Sequence, residues 1–134
     1  MITFTLSNGV SMPSVGLGTF LMSPDKAEQA VYDALKLGYR MVDTANGYLN
    51  ERAVGRGIRK SGVPRGEIFV ATKLWPTEYE KDSAVDKCLE LLDTNYIDLL
   101  YLHQPSGNYL AGKIRAIGIS NFHGEKLEDL LAHA

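Results

Sequence analysis

Four side chains have the types and the placement for proton transfer: Asp43, Tyr48, Lys73 and His103. Each is delivered by an apolar run. Met41-Val42 leads into Asp43, and a Gly-bearing turn then presents Tyr48. Ile68-Phe69-Val70-Ala71-Thr72 leads into Lys73, and Leu99-Leu100-Tyr101-Leu102 leads into His103. Taken singly, each residue has a structural reading. Asp43 caps the turn after it, Tyr48 is a half-buried turn residue, Lys73 snorkels from a strand end, and His103 is a hydrogen-bonded core histidine. Together they point elsewhere, because charged groups at the ends of buried strands are costly unless paired. The set suits reduction of a carbonyl. Hydride reaching the carbonyl carbon leaves negative charge on oxygen, which then needs a proton donor and a positive field. A tyrosine with a pKa of about 10 is protonated at neutral pH but is a reluctant acid. A neighbouring ammonium stabilises its phenolate and makes it a better donor. The carboxylate would hold the ammonium, and the histidine would orient the carbonyl.

The elements that must position these residues alternate. Ile2, Phe4 and Leu6 alternate with polar residues, Ser7-Asn8-Gly9 marks a turn, and Val10-Ser11-Met12 returns, so an N-terminal β-hairpin is expected as a lid on one end of the fold. Strands are predicted over Val15–Phe20, Arg40–Thr44, Glu67–Leu74, Ile97–Leu102 and Ile114–Ile119. Between them lie amphipathic helices. The first starts at Ser23-Pro24, carries the stripe Ala27, Ala30, Val31, Ala34 and Leu35, and stops at Gly38. The second starts at Asn50 as N-cap with Glu51 in its first turn, buries Val54, Gly55 and Ile58, and stops at Ser61-Gly62-Val63-Pro64. The third is capped by Asp82 or Ser83 and carries Val85, Cys88, Leu89 and Leu92. A last helix is predicted from about Gly124 to Ala132, with Leu127, Leu130 and Leu131 inward. Strands alternating with amphipathic helices give a parallel α/β sheet, either open and doubly wound or part of an eightfold barrel. Gly16-Leu17-Gly18 is not a dinucleotide fingerprint, since the third glycine is replaced by Leu21 and no helix opens there.

Composition excludes several classes. The chain has 134 residues, 45% of them hydrophobic, and a net charge of −2, which fits one domain over 1–134 and gives no reason for a nucleic-acid or membrane partner. The N-terminus lacks the basic flank and apolar core of a signal peptide. Cys88 is the only cysteine, so an internal disulfide is impossible and a reducing cytoplasmic location is expected, with Cys88 in the core.

Several motifs in order resemble those of the aldo-keto reductases: Gly38-Tyr39-Arg40 through Asp43-Thr44-Ala45 to Tyr48; Ala71-Thr72-Lys73-Leu74-Trp75; Asp98 through His103; and Gly112-Lys113-Ile114-Arg115-Ala116-Ile117-Gly118-Ile119-Ser120-Asn121-Phe122. The resemblance covers essentially the whole chain. It implies a (β/α)8 TIM barrel and NADPH-dependent reduction of aldehydes and ketones. By it, Tyr48 is the general acid, Lys73 and Asp43 tune it, and His103 orients a small-molecule carbonyl substrate. Gly18, Thr19 and Asp43 would lie along the nicotinamide-ribose, and Ser120 and Asn121 would hold the carboxamide. Phe20 and Trp75 would line the substrate pocket; the structural reading of Trp75 is a loop anchor. No metal site is implied.

Two departures from that pattern stand out. The stretch between His103 and Lys113 holds two glycines and a proline and no apolar stripe, whereas a parallel crossover needs about a dozen residues, usually helical. Either the strands on its two sides are not neighbours, or a segment is missing. The chain also supplies about five of the eight strands a barrel needs, without the family's nicotinamide-stacking aromatic or its 2′-phosphate loop. An incomplete barrel exposes sheet edges, so a competing expectation is a non-catalytic fragment that self-associates or binds a partner. A third is a nucleotide-binding regulatory subunit.

Overall fold

The computed structural model describes residues 2–79, 81–103 and 117–119. Thr3–Thr5 (β1) and Ser11–Pro13 (β2) pair antiparallel as the expected hairpin. Then follow Leu17–Gly18 (β3), helix Pro24–Lys36 (α1), Met41–Asp43 (β4), helix Glu51–Ser61 (α2), Phe69–Leu74 (β5), helix Ala84–Leu92 (α3), Leu99–Leu102 (β6) and Ile117–Ile119 (β7). The last five strands form one parallel sheet in sequential order β3-β4-β5-β6-β7. β3 is shorter than its apolar run suggests, and the helix expected near Gly124–Ala132 lies outside the described residues. β6 and β7 are neighbours, with Leu100 opposite Ile117 and Leu102 opposite Ile119. The first alternative for the short crossover is therefore corrected: these strands do pair.

Alternation along the strands sorts their side chains to two faces. Val42, Val70, Leu74, Leu100 and Leu102 point outward into the main core, under Ala27, Val31 and Leu35 of α1, Ala53, Val54 and Ile58 of α2, and Cys88 and Leu92 of α3. Phe69, Ala71 and Leu99 face inward, where Leu6, Val10, Met12, Met41 and Tyr101 pack against them. The hairpin thus covers the inner face near the starts of β5 and β6, which is the lid the sequence suggested. Asp43 and Lys73 share the inward parity, two residues on from Met41 and Ala71 respectively.

The helices stop and pack as local chemistry demands. Ser23 is the N-cap of α1 with Pro24 at its first turn. At its other end Gly38 takes φ 98°, Tyr39 N–H donates to Ala34 O at 3.0 Å, and Gly38 N–H donates to Leu35 O at 3.2 Å. That is a Schellman close, and the positive φ is why glycine stands there. α2 lies unusually near its neighbours. A Cβ at Gly57 would sit 2.6 Å from Glu28 O of α1, and one at Gly55 would meet the carbonyl of Leu92 in α3. At the opposite end of the sheet from the site, Arg65 pairs with Asp98 at 2.9 Å and lies 4.0 Å over the Tyr96 ring. Asp98 also accepts Val70 N–H at 2.9 Å, joining the starts of β5 and β6.

Candidate active site

Parallel register places the chemistry. Asp43 ends β4, opposite Ala71 of β5, and Lys73 lies two residues further along β5, opposite Tyr101 of β6. Lys73 Nζ therefore reaches Asp43 Oδ2 at 2.6 Å and also donates to Thr44 O at 2.9 Å. The Lys73 side chain is 11% exposed and that of Asp43 30%. Lys73 is thus a paired, largely buried ammonium and does not snorkel to solvent.

Tyr48 arrives from a single 3-10 turn, Asn46–Tyr48, closed by Leu49 at φ 58°. Its ring is 5.1 Å from Lys73 Nζ, 5.0 Å from the Phe20 ring and 5.9 Å edge-on from His103. Trp75 meets His103 edge-on at 5.2 Å. His103 is held just past β6 by its N–H to Leu74 O at 3.0 Å. All four residues singled out for proton chemistry meet at the C-terminal ends of the parallel strands, with Phe20 and Trp75 beside them.

The electrostatics favour a neutral histidine. Burial pushes the His103 pKa below its ordinary 6.5, the Lys73 ammonium pushes it the same way, and Asp43 opposes them. The imidazole is therefore uncharged at neutral pH and presents one N–H. Tyr101, on the inner face, has its phenol pushed up by burial and by the Asp43 carboxylate. It is thus a poorer acid than a free tyrosine.

The cofactor positions divide. A Cβ at Gly18 would meet nothing within 4 Å, so the backbone there is open to a ligand. Asp43 is partly exposed beside it. Thr19 is different: it is 0% exposed, and its hydroxyl donates to Asp43 O at 3.3 Å. Thr19 thus supports Asp43 from behind. Ser120 and Asn121 lie outside the described residues. Among the described residues no group of His, Cys, Asp and Glu is arranged to hold a metal.

Two residues of the site were read from sequence only as helix-start signals. Asn50 is the N-cap of α2 but makes no side-chain cap bond. Its Nδ2 donates instead to Thr19 O at 2.9 Å and Met22 O at 3.1 Å. Glu51, read as a first-turn acid, is 2% exposed and accepts the Thr72 hydroxyl at 2.6 Å. Burial raises its pKa. Trp75 N–H donates to Asn46 Oδ1 at 3.0 Å, tying the two rims of the site. Cys88 is buried as expected, and burial pushes its thiol far up. No helix among the described residues is long and apolar enough to cross a membrane.

Known proteins resemble this chain in sequence and fold. Morphine 6-dehydrogenase from Pseudomonas putida is 41% identical over 144 residues, which span 95% of this chain and 49% of that protein. Glyoxal reductase from Bacillus subtilis is 43% identical over 148 residues, spanning 98% and 54%. Both matched spans are longer than this chain's 134 residues, so these relatives carry residues within the match that it lacks. The chain spans about half the length of the curated relatives it matches. Among solved structures, an aldo/keto reductase from Brucella melitensis superposes with a TM-score of 0.89 at 35% identity, covering 99% of this chain and 59% of the other. An aldo-keto reductase from Bombyx mori, solved in complex with NADP, gives 0.89 at 32% identity, covering 99% and 54%. These neighbours are (β/α)8 barrels, and the five-stranded sheet here is part of one. The family model matches from residue 14 to residue 134, leaving only the hairpin outside it: the chain belongs to the aldo/keto reductase family.

Proposed function

We propose that this chain carries the proton-transfer half of an NADPH-dependent reductase of aldehyde and ketone carbonyls. The observation that carries the reading is the partly buried Lys73–Asp43 pair at 2.6 Å, with Lys73 Nζ 5.1 Å from the Tyr48 ring. Bound NADPH would supply the hydride. Tyr48 donates its hydroxyl proton to the carbonyl oxygen as negative charge develops there. Lys73 provides the positive field that lowers the cost of the phenolate left behind, and Asp43 holds the ammonium in place. His103, neutral, donates its N–H to the same oxygen and fixes the carbonyl's orientation. Phe20 and Trp75, 63% and 44% exposed, form the apolar walls beside it. Gly18 and Asp43 would line the nicotinamide-ribose, and Ser120 and Asn121 would hold the carboxamide. A small-molecule carbonyl compound in the cytoplasm is the substrate.

The test is oxidation of NADPH by the purified chain with a simple aromatic aldehyde, alongside cofactor binding followed by NADPH fluorescence. The expected result is turnover that Tyr48→Phe abolishes while binding persists. Tyr48→Phe turning over at the parent rate would refute the assignment. The second reading is a barrel fragment that acts through association. It is favoured by the match to about half of each relative and by the open edges at β3 and β7 among the described residues. It predicts no cofactor affinity and a stability that rises with protein concentration.

A further inference from the structure

Tyr48 sits on a turn, and its distance from the Asp43–Lys73 pair is only as fixed as that turn. Two consecutive buried side chains just beyond it reach the strands that carry its partners. Asn50 is 1% exposed. Its Oδ1 accepts the hydroxyl of Thr44 at 3.1 Å and lies 3.4 Å from Thr19 Oγ1, whose single proton it shares with Asp43 O, and its Nδ2 donates to Thr19 O and Met22 O. Thr44 is the residue after Asp43, and its carbonyl accepts from Lys73 Nζ. Glu51 reaches through the outer face of the sheet to Thr72, the residue before Lys73. One side chain therefore ends a residue away from Asp43, and the other a residue away from Lys73.

Neither interaction is required to build the helix. α2 has no side-chain cap, and its Ala53, Val54 and Ile58 already bury an apolar face. Buried polar groups are costly unless satisfied, and Asn50 Oδ1 and Glu51 Oε1 find partners in Thr44 and Thr72, the neighbours of Asp43 and Lys73. We propose that Asn50 and Glu51 are positioning residues: a two-point clamp that sets Tyr48 against Asp43 and Lys73. What the position serves rests on the reductase reading; the clamp itself is a statement about geometry.

The experiment uses Thr72→Val and Thr44→Val, which remove one hydroxyl each at nearly constant shape, with Asn50→Ala as the stronger variant. Glu51→Gln is the conservative rescue, because its amide oxygen still accepts from Thr72. Two readouts are taken on chains that circular dichroism shows to be folded. The first is the rate of reductive methylation of Lys73 by formaldehyde and cyanoborohydride, followed by peptide mass spectrometry. It needs no turnover. The second is kcat and KM for the aldehyde. Loosening the clamp should speed Lys73 modification and lower kcat roughly 10- to 100-fold with KM little changed, the size expected of a misplacement near 1 Å. Glu51→Gln should stay close to the parent in both. Parent-rate modification of Lys73 in both threonine variants would overturn the clamp, as would unchanged kcat in a variant that is merely less stable. Absence of turnover in the parent would sink the reductase reading instead, and the methylation rates would still decide the clamp.

Discussion

Replacing Asp43 by Asn isolates the pair at the centre of the site. The substitution keeps shape and an acceptor oxygen but removes the negative charge beside the Lys73 ammonium, which also keeps its bond to Thr44 O. Breaking a fully buried ion pair from one side costs about 3–5 kcal/mol, and an exposed pair is worth about 0–1 kcal/mol. Lys73 is 11% exposed but Asp43 is 30% exposed. Water can therefore reach the stranded charge from one side, and the remaining hydrogen bond persists, so a loss of about 2 kcal/mol is expected between those limits. For a domain of this size that corresponds to a midpoint lower by about 6–10 °C. Asp43→Asn combined with Lys73→Met should return to within about 1 kcal/mol of the parent, since no unpaired charge is then left inside. The measurement is thermal and urea unfolding of the parent, both single variants and the double variant. Moderate salt should change the parent little, because a partly buried pair is weakly screened. An Asp43→Asn midpoint equal to the parent's would refute the reasoning, and so would a double variant no better than Asp43→Asn alone.

Two further outcomes follow from the packing and the electrostatics. Gly57→Ala would normally favour a helix by about 1 kcal/mol, yet here its Cβ would lie 2.6 Å from Glu28 O and 2.9 Å from Val31 Cβ. A net loss of about 1–3 kcal/mol is expected, read as a lower urea midpoint at unchanged slope; a gain in stability would show that α1 moves aside freely. For His103, burial and Lys73 hold the folded-state pKa below 6.5. The unfolded chain therefore takes up the proton first as pH falls. The contribution is intact above about 6.5 and is lost as pH drops from there through the lowered pKa. Histidine C2–H titration by NMR, with His103→Gln for assignment, checks this, and a His103 pKa at or above 6.5 would contradict it.

The site was legible where local pattern and chemistry coincide. Asp43, Lys73 and His103 stand at the ends of apolar runs, and parallel register alone brings strand ends together, so their meeting could be argued without coordinates. Gly38 was legible for the same reason, since a helix that closes by a Schellman bond needs a left-handed residue at that point. Asn50 and Glu51 do stand at the N-cap and in the first turn, but their tethering was hidden because a cap and a first-turn acid carry the same signature as a buried tether. What separates the two is whether the first turn of α2 faces solvent or the sheet, and that depends on Thr44 and on Thr19 and Thr72, which are distant in sequence. The helix stop at Asp93, with φ 53°, was equally invisible, because a non-glycine left-handed cap carries no compositional mark. Thr19 was assigned to the cofactor from motif position alone, and only burial reveals that its hydroxyl turns inward.

The link between β6 and β7 is short for a parallel crossover. The relatives carry residues within the match that this chain lacks, and residues 103–116 are the stretch where a crossover of normal length was missing. Pairing of β6 with β7 nonetheless rests on fit between the strands themselves. Gly118 stands opposite Tyr101, and a Cβ there would lie 2.6 Å from the Tyr101 ring. The glycine makes room for the ring, whatever joins the two strands. The same ring lies 5.7 Å from Lys73 Nζ, so the inner wall behind the Asp43–Lys73 pair is set by interactions that a shorter link leaves in place. Asp43, Tyr48 and Lys73 are in turn governed by β4, β5 and the start of α2, whatever the length of that link.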